Sequence, residues 1–422
     1  MGAPELAIGI FVAVFAIASF RNIHLGVLML PAAVAVGVWL AGLSVGNILA
    51  GFPVNILVLI AGVTFLFGIA SSNGTVDLLI RKLVSAVGDR RGWLPYVFFL
   101  ITTGVASMGS AQAGYVVIPL AMAAARRSAI DPMVMAVALN SGMSTGGFAP
   151  TSLFGIVTVD AARKAGIELN PLVLLGIAAL ASLILLIAAT FMFPSSKVIP
   201  IAAPSAAAVA SEPTSAPGRF ASHQIVTLGC ILILTLSVVG GFSMGRSPDI
   251  GVIALGLGAA LALMYPVSGA EGVKRIDWGT IFMVGGIVTF VGVLQSMGAV
   301  NMLGGAAMAL GSPYAAAFVI LVIAGLVSAF ASTTGILTAL VPMSVPLAIS
   351  GGVSGWALMS LMGVCAAIVD ASPFSTSGAL IVAAGAEEER PRLKSFLTRW
   401  GLSMVIVGPV VAVIVLMLMG RS

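Results

Sequence analysis

Four short polar stretches interrupt a chain that is otherwise oily for dozens of residues at a time. They are "SMGSAQAG" (107–114), "NSGMSTGGFAPTSLFG" (140–155), "SAFASTTG" (328–335) and "VDASPFSTSGALIV" (369–382). Hydroxyls, amides and small residues fill them, with one carboxylate, Asp370, and no Lys or Arg. The second and fourth share an order: a helix runs in, small residues unwind it, and Pro150 or Pro373 bars its continuation. Thr151-Ser152 or Ser375-Thr376 then stands where a new half-helix would be capped. Helix N-termini freed in this way offer unpaired N–H groups and a partial positive charge, which favour an anion. Unwound carbonyls and hydroxyls supply hard oxygens that suit Na⁺. One construction can therefore hold an anion beside a cation.

The candidate substrate contacts are Ser110 and Gln112 at the first stretch and Thr151 and Ser152 at the second. Thr333 and Thr334 add to them from the third, and Ser375, Thr376 and Ser377 from the fourth. The candidate cation ligands are Ser107, Asn140, Ser144, Thr145 and Gly146 in the first half, and Ser328, Ser332, Asp370 and Ser372 in the second. A charge deep in a membrane costs about 2.5–3.5 kcal/mol on insertion scales, so Asp370 should face a cavity, as a cation ligand or a titrating proton site. The plainer alternatives are a protonated or hydrated Asp capping a half-helix, and hydroxyls that bond back to the i−4 carbonyl or glue helices together. With no cation among the four stretches, a dianion would be held by helix ends, hydroxyls and co-bound Na⁺ or H⁺. No other cofactor is called for.

The elements that must position these groups follow from composition. Of 422 residues, 60% are hydrophobic and 8% charged, whereas a soluble domain carries about a quarter charged residues. This is an integral membrane protein, all-α and polytopic, with the lipid bilayer as its solvent. The net charge of +5 comes from scattered loop residues, so no nucleic acid is implied. Cys230 and Cys365 lie singly in apolar runs and read as packing residues. The start "MGAPELAIGIF" has no basic leader region and reads as a retained first span.

Apolar stretches long enough to cross about 30 Å of hydrocarbon fall near 5–20, 24–43, 54–72, 131–158, 171–193, 222–242, 249–267, 278–296, 355–386 and 400–419. Segments 94–125 and 314–349 instead divide at polar centres into two short arms, as re-entrant hairpins do. With an outside N-terminus, ten crossings and two hairpins, both termini lie outside. Fifteen of the nineteen Lys and Arg residues then fall in cytoplasmic loops and four (Arg163, Lys164, Arg246, Arg421) outside. Residues 194–218, rich in Pro, Ala and Ser, read as a cytoplasmic linker, 75–87 as an amphipathic surface helix, and 386–394 as a solvated loop.

A shift of 224 positions lays "AGVTFLFGIASSNGTVDLL" (61–79) on "GGIVTFVGVLQSMGAVNML" (285–303), and a shift of 222 or 223 carries Ser110 to Ser332, Pro119 to Pro342 and Pro150 to Pro373. The chain thus reads as two repeats, 1–193 and 219–422. Each has five transmembrane helices, one of them broken, plus a hairpin. The first has scaffold spans within 5–72, hairpin 94–125 and broken helix 131–158; the second has 222–296, 314–349 and 355–386. Five is odd, so the second repeat is inverted, the plan of secondary transporters with a midplane site.

"SGMSTGGFAPTSLFG" and "DASPFSTSGAL", each 44 residues beyond a hydroxyl at a hairpin tip (Ser107 to Thr151, Ser332 to Thr376), resemble the ion-transporter superfamily. Within it the chain is most similar to the malonate/dicarboxylate carrier branch, related to the divalent-anion/Na⁺ symporters. The resemblance implies a homodimer, a scaffold made by the first spans of each half, and hairpins and broken helices that move together as an elevator. It implies a small carboxylate substrate, malonate or succinate for example, and a bacterial inner membrane. Sodium-coupled relatives carry Ser-Asn-Thr at each tip. Here the tips read Ser107-Met108-Gly109-Ser110 and Ser332-Thr333-Thr334, which leaves room for Asp370 as a proton-coupling group. A passive anion channel is the alternative. "GMSTG" (142–146) also matches G-x-S-x-G, but a serine hydrolase needs a base at the serine, and both histidines, His24 and His223, are expected at span ends.

Overall fold

The computed structural model describes residues 2–21, 23–87, 91–109, 114, 117–193, 220–244, 248–299, 302, 311–329, 333–349 and 352–419. Linker 194–218 lies outside them, as do Ser110, Gln112 and Ser332, and of Thr334 only the backbone is described. Among the described residues there is no strand. The first half runs α1 (Ala3–Arg21), α2 (Leu25–Trp39), α3 (Val45–Ala50), α4 (Val54–Ser72), α5 (Thr75–Val87), α6 (Leu94–Ala106), α7 (Val117–Arg127), α8 (Pro132–Gly147), α9 (Leu153–Lys164) and α10 (Pro171–Met192). The second runs α11 (Ser222–Ser243), α12 (Ile250–Met264), α13 (Pro266–Lys274), α14 (Trp278–Ser296), α15 (Pro313–Ser328), α16 (Thr333–Met343), α17 (Val345–Ile349), α18 (Gly355–Ile368), α19 (Thr376–Ala384) and α20 (Arg390–Met419).

Local chemistry sets many of these starts. Asp131 and Asn170 cap the next helix with their side chains and are followed by Pro at the first helical position. Asp249 and Asp277 cap α12 and α14 in the same way. Five helical segments are long and apolar enough to cross a membrane: Val54–Ser72, Pro171–Met192, Trp278–Ser296, Gly355–Ala384 and Arg390–Met419. The first, third and fourth are 61%, 67% and 78% buried in the protein, the other two 28% and 33%. So α4, α14 and the α18–α19 segment form the interior, and α10 and α20 the rim that faces lipid.

Helices occupy the stretches of the ten expected spans, with adjusted ends, and five of the segments have the length and apolarity to cross a membrane. The second arm of the broken helix runs past 158 to Lys164. Two short helices, α3 and α13, occupy stretches read as loop. The run 386–394 is not a free loop: α20 begins at Arg390, and Arg390 donates to the carbonyls of Gly385 and Ala383, closing the end of α19. The helix-end carbonyls attract the cation, a local term that hydropathy does not register.

One close contact occurs twice. A Cβ on Gly62 would lie 2.3 Å from the Gly251 carbonyl oxygen, and one on Gly286 would lie 3.0 Å from that of Gly26. Helix α4 thus packs on α12 at bare backbone, and α14 on α2. Gly62 and Gly286 are 224 apart, Gly26 and Gly251 are 225 apart.

Candidate functional site

Both Pro-centred stretches break their helices. Helix α8 ends at Gly147 and α9 starts at Leu153, with Ser152 in the N-cap position. Helix α18 ends at Ile368, a single 3₁₀ turn carries Val369–Ala371, and α19 starts at Thr376 behind Ser375. In each half the third residue of the new helix is a glycine that nestles on the break. A Cβ on Gly155 would sit 2.4 Å from the Ala149 carbonyl oxygen, and one on Gly378 would sit 2.1 Å from that of Ser372.

The caps differ. Ser375 Oγ accepts the Gly378 N–H (3.2 Å), as expected of a capping serine. Ser152 makes no such bond; its hydroxyl donates to the Ala106 carbonyl (2.9 Å), across to the end of α6. There the side chain is turned toward a tertiary acceptor and away from the amides of its own helix. Amides are left over at both helix starts: Phe154 and Gly155 in one, Thr376 and Ser377 in the other, donate to no acceptor among the described residues. Those are the groups an anion takes at a helix N-terminus.

Each break is stitched to the hairpin tip of its own half. Thr151 Oγ1 donates to Ser107 O (2.6 Å), and the Leu153 amide to Gly109 O (3.2 Å). Gly109 has φ 120°, a conformation open to glycine and rare for other residues. Ser107 Oγ donates to Thr103 O one turn earlier (2.7 Å). In the second half, Ser328 Oγ meets Thr333 Oγ1 (2.9 Å) and donates to Ala366 O (2.8 Å). In the first half the tip therefore lies at the break where the 44-residue spacing points; the second-half counterpart, Ser332, lies outside the described residues.

Asp370 sits at the middle of this junction, partly buried. Its carboxylate is within hydrogen-bonding reach of Ser375, Ser377 and Thr333. The Ser377 hydroxyl also donates to its backbone carbonyl, and the one proton of the Ser375 hydroxyl is shared between that carbonyl and Ser372 O (2.7 Å). Ser372 is fully buried, and its oxygen accepts the Phe374 amide (3.4 Å). Thr376, by contrast, is exposed.

The first-half candidate ligands are held differently. Asn140, Ser144, Thr145 and Gly146 all lie buried on α8. A Cβ on Gly146 would fall 2.3 Å from Thr103 O, so α8 touches α6 there at backbone. Thr145 Oγ1 is buried with no hydrogen-bond partner, and so is Thr103 Oγ1 on α6. Thr103 is absent from the sequence-derived set because it lies inside an apolar run. Its one signal is its place a turn before Ser107. Helix α8 also packs on the 369–371 turn, α16 runs along α9, and the Phe148 ring sits on Gly363 of α18. The two half-sites thus share one core.

Neither histidine approaches Ser144. His24 lies beside Gly279, and the His223 ring is 6.0 Å from that of Tyr265. Ser144 itself is inside a regular helix, so the G-x-S-x-G match builds no nucleophile elbow.

Residues 1–147 match the family described as dicarboxylate carrier protein MatC N-terminus, and residues 246–422 match the family described as citrate transporter. No curated protein matches the chain. Both families are carriers and neither is an enzyme family. With a dicarboxylate-carrier match over the first hairpin and a citrate-transporter match over the second, on a helical membrane fold with two Pro-broken helices, the chain is similar to dicarboxylate and citrate carriers, in keeping with its resemblance to the ion-transporter superfamily.

Proposed function

We propose that the chain is a secondary active transporter of small dicarboxylates such as malonate or succinate, driven by Na⁺ or H⁺. The observation that carries this reading is the pair of half-helix starts with unspent amides, at Phe154–Gly155 and Thr376–Ser377, beside a carboxylate and hydroxyls. Free amides at helix N-termini favour the substrate carboxylates. Asp370 and the unpartnered Thr103 and Thr145 hydroxyls favour cations. A dianion brought without cations would meet Asp370 as a like charge; a bound Na⁺ or H⁺ removes that repulsion and couples the two fluxes. Thr151, Ser375, Ser377 and Thr333 line the anion's side in this reading, and Ser107, Asn140, Ser144 and Asp370 the cation's.

The mechanism we favour is an elevator. The doubled glycine contact, Gly62–Gly251 and Gly26–Gly286, supports two related halves, and an odd number of crossings in each would set them in opposite senses across the membrane. The α2–α14 and α4–α12 pairs would be the fixed scaffold. The hairpins and broken helices would travel as the body that carries the site. Homodimerisation through the scaffold, a bacterial inner membrane and termini on the outer side belong to the same reading.

The test is uptake of labelled malonate, succinate and citrate into proteoliposomes under an imposed Na⁺ or H⁺ gradient. Saturable uptake of a dicarboxylate that one gradient drives is the expected result. Failure of all three under both gradients overturns the carboxylate substrate. Flux that does not saturate and shows no trans-stimulation replaces the carrier with an anion channel.

A further inference from the structure

Side-chain hydrogen bonds between the two halves of the site-bearing body sit at one end only. Among the described residues they are Arg392 to Asp131 (3.2 Å) and Arg126 to the Ala384 carbonyl (3.1 Å). Asp131 caps α8, the first arm of the first broken helix, through the Met133 amide (2.9 Å). Arg126 stands at the end of α7, the returning arm of the first hairpin. Ala384 is the last residue of α19, the second arm of the second broken helix, and Arg392 is in the first turn of α20. Arg126 thus ties the first hairpin to the second broken helix, and Arg392 ties the first broken helix to α20, the helix that follows the second.

Among the hydrogen bonds of the described residues, no side-chain bond at the opposite end joins the two halves in this way. The shift that superposes the breaks carries Asp131 to Ser354 and Arg392 back to Leu169. The Ser354 hydroxyl is buried without a partner, and Leu169 is an apolar core residue. Apolar packing joins the halves there, with Ile167 against the cluster that holds Ala316, Leu347 and Ala357. The charged pair is a departure from the repeat, added at one end.

Burial makes that pair consequential. Asp131 is 4% exposed, so its charge is stabilised by the α8 helix start and by Arg392, not by water. The Arg392 side chain is itself 64% exposed, so removing it leaves the buried Asp131 charge to the helix start alone, which costs more than loss of a contact between two exposed groups. We propose that Arg392, together with Arg126, is a positioning residue of the transport site: from one end of the bundle it fixes α8 against α19 and α20, so that two half-sites behave as one. This rests on the carrier reading above, in which both breaks contribute to one substrate and cation site.

The experiment uses the full chain in proteoliposomes with succinate as probe. Asp131→Asn keeps the cap, because Asn caps as well as Asp, and removes only the charge. Asp131→Asn and Arg392→Gln should each raise the KM for succinate about five- to tenfold, the scale of an ordinary coupling energy. The double variant should be no worse than either single one, Vmax should be little changed, and Arg392→Lys should recover most of the affinity. Additive effects, or a loss confined to protein abundance or Vmax, overturn the proposal. Hydrogen–deuterium exchange on the same variants reads the tie without transport. Faster exchange in 132–147 and 376–384, with 54–72 and 278–296 unchanged, is expected. Unchanged exchange in all four segments overturns the proposal even if wild type transports, and faster exchange sustains it even if succinate proves the wrong substrate.

Discussion

Thr151 donates its hydroxyl proton to the carbonyl of Ser107 at 2.6 Å, joining the first helix break to a hairpin tip 44 residues earlier. The bond spans two elements that must keep register for the Phe154 and Gly155 amides to face the hairpin tip. Thr151→Val keeps the shape and leaves the Ser107 carbonyl unpaired, a cost of about 1 kcal/mol or more. Succinate uptake by Thr151→Val should show a raised KM, and Thr151→Ser should restore it. Equal KM values for all three proteins would show that the bond contributes nothing to the site.

Gly378 makes a sharper prediction. Its Cβ would sit 2.1 Å from the Ser372 carbonyl oxygen, and backbone cannot yield as a flexible side chain can. Gly378→Ala should disrupt the break, at a cost of about 1–3 kcal/mol in overpacking, and abolish uptake. Gly155→Ala should do the same in the other half, where the Cβ would meet the Ala149 carbonyl at 2.4 Å. Gly176 has nothing within 4 Å of its Cβ position. Gly176→Ala should therefore leave both uptake and melting temperature at or slightly above wild type, as helix propensity alone dictates.

Asp370 is the acid at the meeting of Thr333, Ser375 and Ser377. Asp370→Asn keeps a polar side chain of the same size and removes the charge. Uptake by this variant should lose its dependence on the driving cation, with residual flux insensitive to the imposed gradient. An unchanged response to both Na⁺ and pH would take Asp370 out of coupling and leave it as a structural cap of α19.

Much of this was legible in the sequence, and for identifiable reasons. Pro373 and Pro150 sit in short polar stretches inside long apolar segments, where a helix breaker has no solvent loop to mark, so the breaks follow from residue type. The 44-residue spacing anticipated the Ser107–Thr151 contact because a hairpin tip and a break in one repeat keep a fixed separation. Thr103 was invisible, since one threonine in "FFLITTGVA" looks like a back-bonded helix residue, as its neighbour Thr102 is, with its hydroxyl on Phe98 O (2.6 Å). The Arg392–Asp131 pair was also out of reach. Its partners are 261 residues apart, and each reads locally as a loop charge.

The last prediction separates a ligand from a packing residue. Thr145 Oγ1 is buried without a partner, as is Thr103 Oγ1, whereas the buried hydroxyls of Thr64, Thr102, Thr158 and Thr289 donate back along their own helices. An unpaired buried hydroxyl costs about 1–3 kcal/mol, so a chain that keeps one gives up stability at that point. If its only role were packing, Thr145→Val, of the same shape, would raise the melting temperature and leave transport alone. If the hydroxyl serves a cation, Thr145→Val should still raise the melting temperature without Na⁺, yet weaken the Na⁺ dependence of uptake and of thermal stabilisation. Thr158 supplies the control: it is equally buried, but its hydroxyl is spent on Phe154 O (2.7 Å). Thr158→Val should leave the Na⁺ dependence where it was. A Thr145→Val protein with wild-type Na⁺ dependence would return the first-half hydroxyls to helix packing and leave Asp370 as the coupling group.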